Sequence, residues 1–125
     1  MDLNMKILVV DDFATMRRII KNVLKQIGFT NVSEADDGTT GLDMMKKEEF
    51  DLILCDWNMP QMTGLELLKI VKADDKLKGI PFVMVTAEAQ KENILDAVKS
   101  GVNNYIVKPF TAETVKEKLK KIFGS

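Results

Sequence analysis

The sequence predicts an α/β protein, an open three-layer α/β/α sandwich in which helices cover both faces of a five-stranded parallel sheet. Three observations support this fold class. Short apolar segments alternate with segments of helical periodicity along the whole 125-residue chain. The apolar segments lack the inside–outside alternation of half-exposed strands, as expected of strands that are buried on both faces. A closed barrel of parallel strands would need eight such units and about twice the length.

The predicted strands are the five apolar segments Ile7–Val10, Val32–Ala35, Leu52–Cys55, Phe82–Val85 and Tyr105–Val107. The clearest helix follows the first strand, where apolar residues recur at the spacing of one helix face: Met16, Ile19, Ile20, Val23, Leu24 and Ile27. Gly28 provides the usual helix stop, and Thr111 is a candidate N-cap for the last helix. Weaker helical patterns follow the second, third and fourth strands.

The composition indicates one ordinary globular domain over residues 1–125, with residues 1–4 expected outside the core fold. The 18 Lys and Arg residues are balanced by 19 Asp and Glu residues, so no basic field favours nucleic-acid binding. Apolar runs of four or five residues are far too short for membrane insertion, and the start of the chain lacks signal-peptide features. The single cysteine, Cys55, cannot form an internal disulfide, so we expect a cytoplasmic protein.

Polar side chains follow four of the five predicted strands at the point where each strand ends. They are Asp11 and Asp12 after the first strand, Asp56 after the third, Thr86 after the fourth and Lys108 after the fifth. Ligands of open α/β sheets bind beyond the carboxyl ends of the strands, so we expect these groups to meet at one edge. Three carboxylates there would repel one another without a cation or a proton. Oxygen ligands without His or Cys favour Mg²⁺ or a similar hard ion.

Each of these residues also has an ordinary structural interpretation. Asp12 could cap the first helix, Thr86 could begin a turn, and Lys108 could be a solvated loop residue. Their joint placement at one sheet edge favours a functional site instead. The chain has no histidine, which excludes Ser-His and Cys-His nucleophile pairs and the commonest zinc sites. One carboxylate could attack phosphorus and form an aspartyl phosphate, with the metal, Lys108 and Thr86 holding the phosphoryl oxygens.

Four sequence motifs surround these strand ends: DDFATMRRI at residues 11–19, DWNMP at 56–60, MVTAEA at 84–89 and KPFT at 108–111. With these motifs the chain resembles the receiver domain of two-component response regulators, and most closely the single-domain chemotaxis members of that family. The resemblance extends from about Lys6 to Phe123. It implies a flavodoxin-like fold with strand order 2-1-3-4-5 and a cis peptide bond between Lys108 and Pro109.

The resemblance also implies the roles of the site residues. Asp56 would be the phosphoacceptor, taking the phosphoryl group from a histidine of a sensor kinase. Asp12, Asp56 and the backbone carbonyl of Asn58 would bind Mg²⁺ directly, and Asp11 would assist through a water molecule. Lys108 would pair with the phosphoryl group after transfer.

A switch and an output face are further implications of the resemblance. Thr86 would move toward the phosphoryl group and Tyr105 would rotate into the space that it leaves, with the small Ala87 giving the ring room. Asn58 and Glu88 would tune the loss of the phosphoryl group. The partner-binding residues would lie on the fourth helix, the fifth strand and the fifth helix: Gln90, Tyr105, Val107, Lys118 and Lys121. Gln90 departs from the pattern, since motor-binding members often carry lysine there.

The leading hypothesis is a phosphorylation-switched interaction module that controls flagellar rotation by binding the flagellar motor switch protein. We expect a monomer that is not an enzyme, although it assists its own phosphorylation and dephosphorylation. Its partners would be a chemotaxis histidine kinase and, as a further candidate, a phosphatase. A stand-alone receiver that acts as a phosphate sink or a phosphorelay intermediate is the alternative. An aspartyl phosphatase would need an acid where Asn58 stands, and Asp11 and Asp12 would repel the flavin phosphate of an electron carrier.

Overall fold

The computed structural model describes residues 1–87 and 91–124, which form five strands and five helices. The strands are β1 (Ile7–Val10), β2 (Val32–Ala35), β3 (Leu52–Asp56), β4 (Phe82–Thr86) and β5 (Asn104–Val107). The helices are α1 (Ala14–Ile27), α2 (Gly38–Lys47), α3 (Gly64–Ala73), α4 (Lys91–Lys99) and α5 (Ala112–Phe123). All neighbouring strands are parallel and their order is β2-β1-β3-β4-β5. The predicted fold class and strand order are confirmed.

Three predicted strand limits differ from the observed limits by one residue. β3 includes Asp56, β4 includes Thr86, and β5 begins at Asn104 rather than at Tyr105. The strands extend past their apolar runs because backbone pairing with the neighbouring strand continues for one more residue. Asp56 and Thr86 are therefore held by the sheet itself and not by a loop.

Alternate side chains of each strand enter opposite layers of the core. On β1, Ile7 and Val9 belong to the layer that includes α1 and α5, whereas Leu8 and Val10 belong to the layer that includes α2 and α3. All four side chains are fully buried, and burial of each stabilises the fold by roughly 1.5–3 kcal/mol relative to exposure. Because both faces of the sheet are covered, the open edge at the carboxyl ends of the strands is where polar groups can collect.

The ends of α5 and α1 show which of the predicted helix caps form. Thr111 caps α5 as predicted, since its side chain accepts a hydrogen bond from the backbone N–H of Thr114. The interpretation of Asp12 as the cap of α1 is wrong, because Phe13 occupies the N-cap position and no side chain caps this helix. Gly28 ends α1 at φ 124°, a conformation that favours glycine.

The first residues lie beside the layer of α1 and α5. Met1 is partly buried against that layer, Met5 is buried within it, and Leu3 is exposed. Within residues 1–87 and 91–124, none of the helices has the length and apolar character needed to cross a bilayer.

Candidate functional site

Three carboxylates meet at the carboxyl edge of the sheet. Asp11 and Asp12 directly follow β1, and Asp56 is the last residue of β3, the strand paired with β1. One oxygen from each carboxylate lies within 4.8 Å of the corresponding oxygens of the other two. Asp11 is fully buried, Asp56 is buried, and Asp12 is partly buried. The predicted convergence of these acids is therefore observed.

Two carboxylate oxygens of this cluster are buried without a hydrogen-bond partner in the described part of the chain, namely Asp11 Oδ2 and Asp12 Oδ1. The other oxygen of Asp11, Oδ1, accepts a hydrogen bond of 2.9 Å from the backbone N–H of Phe13. Buried polar atoms usually have partners, and leaving one unsatisfied costs about 1–3 kcal/mol. Convergent, buried and unsatisfied oxygens are the arrangement that a hard cation fits.

Lys108 supplies a positive charge to the same cluster. Its Nζ lies 3.2 Å from Asp56 Oδ1 and 3.8 Å from Asp11 Oδ2. The Lys108 side chain is largely buried, so water screens these ion pairs only weakly. One ammonium group cannot neutralise three carboxylates, so the site retains an excess of negative charge.

Burial makes this negative charge energetically unfavourable in the folded chain. Burial raises the pKa of Asp11, and the charge of Asp56 raises it further, against the opposing effect of the Phe13 amide. Burial likewise raises the pKa of Asp56, although the adjacent Lys108 ammonium lowers it. A divalent cation would favour the ionised form of both groups, so the electrostatics also fit a metal.

The chemistry of the available donors selects the kind of metal. The three carboxylates offer only oxygen, and the chain has no histidine. Cys55 directly precedes Asp56, but burial raises the pKa of its thiol well above its ordinary value, and the charge of Asp56 adds to this effect. Its Sγ donates a hydrogen bond to the Asp56 carbonyl oxygen. The donors that converge at the site are carboxylate oxygens of Asp11, Asp12 and Asp56, and oxygen donors of this kind fit Mg²⁺.

The remaining predicted site residues lie around this cluster. Thr86 is buried at the end of β4, and its carbonyl oxygen accepts a hydrogen bond of 2.7 Å from the Lys108 backbone N–H. The peptide bond between Lys108 and Pro109 is cis. Asn58 and Ala87 are exposed, each just beyond the end of its strand. Glu88 and Gln90 lie outside the described residues.

Four of the predicted output residues lie on β5 and α5. Tyr105 is partly buried, and the Lys118 Nζ lies 4.8 Å from the centre of its ring, a cation–π contact. Val107 is partly buried, and Lys121 is exposed on α5. On the neighbouring helix α4, two apolar side chains are exposed, Leu95 by 46% and Val98 by 56%. The helical pattern after the fourth strand predicts a helix there but not which of its apolar side chains stay exposed.

Two residues that support the site carry no role in the sequence-based prediction. A Cβ atom on Gly64 would lie 2.3 Å from the Asp56 carbonyl oxygen, so only glycine fits this close approach. The guanidinium of Arg17 donates to the carbonyl oxygen of Asp11 at 2.7 Å. Gly64 is recognisable in the sequence only as a glycine before a helical pattern. Arg17 is recognisable only as a basic residue in the first turn of α1.

Comparisons with known proteins agree with this geometry. The family model of the response regulator receiver domain matches residues 7–120. The chain is 62% identical over 120 residues to chemotaxis protein CheY-3 of Vibrio cholerae, which covers 96% of this chain and 92% of that protein. It is 60% identical over 119 residues to chemotaxis protein CheY of Pseudomonas aeruginosa, which covers 95% of this chain and 96% of that protein.

Solved structures are similar over almost the whole chain. Chemotaxis protein CheY4 of Vibrio cholerae matches with a TM-score of 0.88 at 34% identity, over 95% of this chain and 98% of that one. The receiver domain of a sensor histidine kinase from Pseudomonas aeruginosa, which has a magnesium ion coordinated in its active site cleft, matches with a TM-score of 0.86. That match covers 98% of this chain and 99% of the other at 24% identity, and it supports the fold. The chain therefore belongs to the response regulator receiver domain family.

Proposed function

We propose that this chain is a chemotaxis response regulator that accepts a phosphoryl group on Asp56 and, once phosphorylated, binds the flagellar motor switch. One observation carries the proposal. The carboxylate of Asp56, held by β3, meets two further carboxylates and the Lys108 ammonium at the open edge of the sheet. The similarity to chemotaxis proteins over more than nine-tenths of the chain supports the same assignment.

In the proposed reaction, a carboxylate oxygen of Asp56 attacks the phosphorus atom of a phosphohistidine on a chemotaxis histidine kinase. The new phosphorus–oxygen bond forms as the phosphorus–nitrogen bond breaks, and the electron pair of that bond returns to the imidazole nitrogen. Lys108 Nζ, already 3.2 Å from Asp56 Oδ1, would pair with a phosphoryl oxygen. The Thr86 hydroxyl, at the end of the adjacent strand β4, would hold the same group.

The residues that would hold Mg²⁺ are Asp11, Asp12, Asp56 and the backbone carbonyl of Asn58. When bound there, Mg²⁺ supplies positive charge that stabilises the developing charge on the transferred phosphoryl group. Lys108 Nζ, which donates a hydrogen bond to Asp56 Oδ1, would orient the acceptor carboxylate.

The proposed output surface is the face formed by α4, β5 and α5. It combines the exposed apolar residues Leu95 and Val98 with the partly buried Tyr105. Lys118 and Lys121 add positive charge on α5, so an amphipathic, acidic segment of a motor switch protein would suit this face. Thr86 and Tyr105 lie on the paired strands β4 and β5, which would link phosphorylation to this surface.

The proposal includes several properties that follow the family pattern. The chain would act as a monomeric cytoplasmic switch and not as an enzyme, while assisting its own phosphorylation and dephosphorylation. Asn58 and Glu88 would set the lifetime of the phosphoryl group, and a phosphatase could shorten it. A chain that receives phosphoryl groups but fails to bind the motor switch would instead be a phosphate sink or a relay intermediate.

Treatment with a small acyl phosphate donor tests the phosphoacceptor. With Mg²⁺, we expect one labile phosphoryl group per chain, located by mass spectrometry at Asp56, and none with a chelator. Asp56→Asn should abolish the modification, whereas Asp75→Asn, which changes an exposed aspartate outside the site, should not. Phosphorylation of the Asp56→Asn variant to the same level as the chain without substitutions would contradict the proposal.

Binding to a motor-switch peptide tests the output. We expect the phosphorylated chain to bind about tenfold more tightly than the unphosphorylated chain, a typical coupling between two sites. Val98→Ser should weaken this binding, and Ile70→Ser, the same kind of change at an exposed position of α3, should leave it unchanged. Phosphorylation without any gain in peptide binding would favour the phosphate sink or relay.

A further inference from the structure

We infer that Arg17 is a positioning residue for the carboxylate site: it fixes the backbone of Asp11 and Asp12 in the arrangement that binds Mg²⁺. The inference rests on the proposed magnesium site. Among the described residues, the Arg17 side chain makes no hydrogen bond or ion pair with any of the three carboxylate side chains. It would act through the main chain that carries two of them.

The contacts of Arg17 enclose the turn between β1 and α1. Its Nη1 donates a hydrogen bond of 2.7 Å to the carbonyl oxygen of Asp11. Its own backbone N–H donates to the carbonyl oxygen of Phe13 at 3.0 Å. The Phe13 backbone N–H in turn donates to Asp11 Oδ1 at 2.9 Å. These three hydrogen bonds form a ring around Asp12. Arg17 contributes one of them from its side chain and one from its backbone.

A second anchor holds the guanidinium in place. Arg17 Nε donates to Glu34 Oε1 on β2 at 3.1 Å, while Asp11 is tied to the same strand by its backbone N–H, which donates to Ala35. The guanidinium therefore bridges β2 and the β1–α1 turn. The Arg17 side chain is only 16% exposed, so its conformation is restricted. Arginine suits this position because its planar group can donate to two acceptors in fixed directions.

The other oxygen of Glu34 has a different partner, which provides a control. Lys21 Nζ lies 3.0 Å from Glu34 Oε2, and the Lys21 side chain is more exposed, at 42%. Lys21 carries the same charge as Arg17 and shares its acidic partner. Among the described residues, Lys21 makes no side-chain hydrogen bond or ion pair with the β1–α1 turn. Comparing substitutions of Arg17 and Lys21 therefore distinguishes an effect of positioning the turn from an effect of positive charge alone.

Charge and geometry predict opposite effects on Mg²⁺ binding. A positive side chain near a cation site repels the metal, so loss of its charge should tighten binding. A side chain that holds ligands in place should weaken binding when it is lost, and groups that orient metal ligands commonly contribute about 10–100-fold in affinity. The sign of the change therefore distinguishes the two roles.

The test is a Mg²⁺ titration followed by the fluorescence of Trp57, the only tryptophan, which adjoins Asp56. Arg17→Lys keeps the charge but loses the two-acceptor geometry, and we expect it to weaken Mg²⁺ binding about tenfold. Arg17→Gln, which also loses the charge, should bind more weakly than the unmodified chain. Lys21→Gln should bind Mg²⁺ equally well or slightly more tightly. Melting in chelator reports folding of each variant independently.

Unchanged Mg²⁺ affinity in Arg17→Lys, together with a lower melting temperature in chelator, would make Arg17 a purely structural residue and overturn the inference. Tighter binding by Arg17→Gln than by the unmodified chain would overturn it as well, because charge would then dominate. If the unmodified chain itself showed no Mg²⁺ response, the proposed magnesium site would fail and the inference with it. If the chain without substitutions does respond to Mg²⁺, a negative result for the Arg17 variants contradicts the role of Arg17 alone and not the magnesium site.

Discussion

Asp11 illustrates at the scale of one residue how the proposed function opposes stability. Its carboxylate is fully buried, one of its oxygens has no hydrogen-bond partner in the described residues, and two other carboxylates lie close by. In a chain selected only for stability, an amide or an apolar side chain would suit this environment better. Residues that destabilise the fold in this way are common at functional sites.

Asp11→Asn should therefore stabilise the chain when metal is chelated. Because burial and the charge of Asp56 raise the pKa of Asp11, the folded state binds this proton more tightly than the unfolded state. The stability linked to the group is present at low pH and is lost as the pH rises through the raised pKa. At pH 7 we expect a gain of about 1 kcal/mol in the free energy of unfolding.

Chemical denaturation in chelator at pH 7 and at pH 3.5 measures this effect. The gain from Asp11→Asn should shrink at the lower pH, where the unfolded chain is largely protonated as well. Asp43→Asn, at an exposed position of α2, should show neither the gain nor its pH dependence. A loss of stability in Asp11→Asn at pH 7 would refute the electrostatic explanation.

At the scale of the secondary-structure elements, the start of α3 determines where β3 can place Asp56. The backbone N–H of Gly64 donates to the Trp57 carbonyl oxygen at 2.9 Å. Its Cα faces the carbonyl oxygen of Asp56 so closely that a Cβ would lie at 2.3 Å. Thr63 and Glu66 cap this end of α3 reciprocally. The first turn of α3 is thus packed directly on the end of β3.

Gly64→Ala should lower the free energy of unfolding by about 1–3 kcal/mol, because a backbone atom blocks the new methyl group. It should also weaken Mg²⁺ binding, because the atom that blocks the methyl group is the backbone oxygen of Asp56 itself. Gly79→Ala is the matched control, because a Cβ there has no neighbour within 4 Å. Denaturation and Mg²⁺ titration measure the two effects. Equal stability of the two variants would contradict this account of the β3–α3 packing.

Much of the architecture could be predicted because each element has its own local signal. The strand segments are continuous apolar runs, and the polar residues that end them occupy one sheet edge in any parallel α/β fold. Asp56 and Lys108 could therefore be placed together from the sequence. The roles of Arg17 and Gly64 could not, because each depends on contact with a backbone oxygen of another element. The exposure of Leu95 and Val98 likewise depends on which face of α4 packs inward.

On the scale of the whole molecule, the charge of the site is concentrated at one end while the net formal charge is only −1. The two apolar layers cover both faces of the sheet and leave the carboxylate cluster at the open edge. A ligand that binds this edge therefore contacts residues from β1 and β3 together. Such a ligand should stabilise the whole fold and not only one loop.

Mg²⁺ should accordingly raise the melting temperature of the entire chain in a single transition. At ten times the dissociation constant, mass action adds about 1.4 kcal/mol to the free energy of unfolding. Differential scanning calorimetry with MgCl₂, and with NaCl at the same ionic strength, measures the specific part of this effect. Asp11→Asn should respond less to Mg²⁺. Equal melting temperatures in the two salts would argue against the magnesium site.

The buried thiol of Cys55 makes this protein convenient for site-specific labelling. The chain has no other cysteine, and Cys55 is fully buried and remains protonated because burial raises its pKa. Maleimides and other alkylating reagents react with exposed thiolates, so the native fold should resist them. A single surface replacement such as Lys99→Cys would then carry a fluorophore or spin label on α4, with the native thiol left in place.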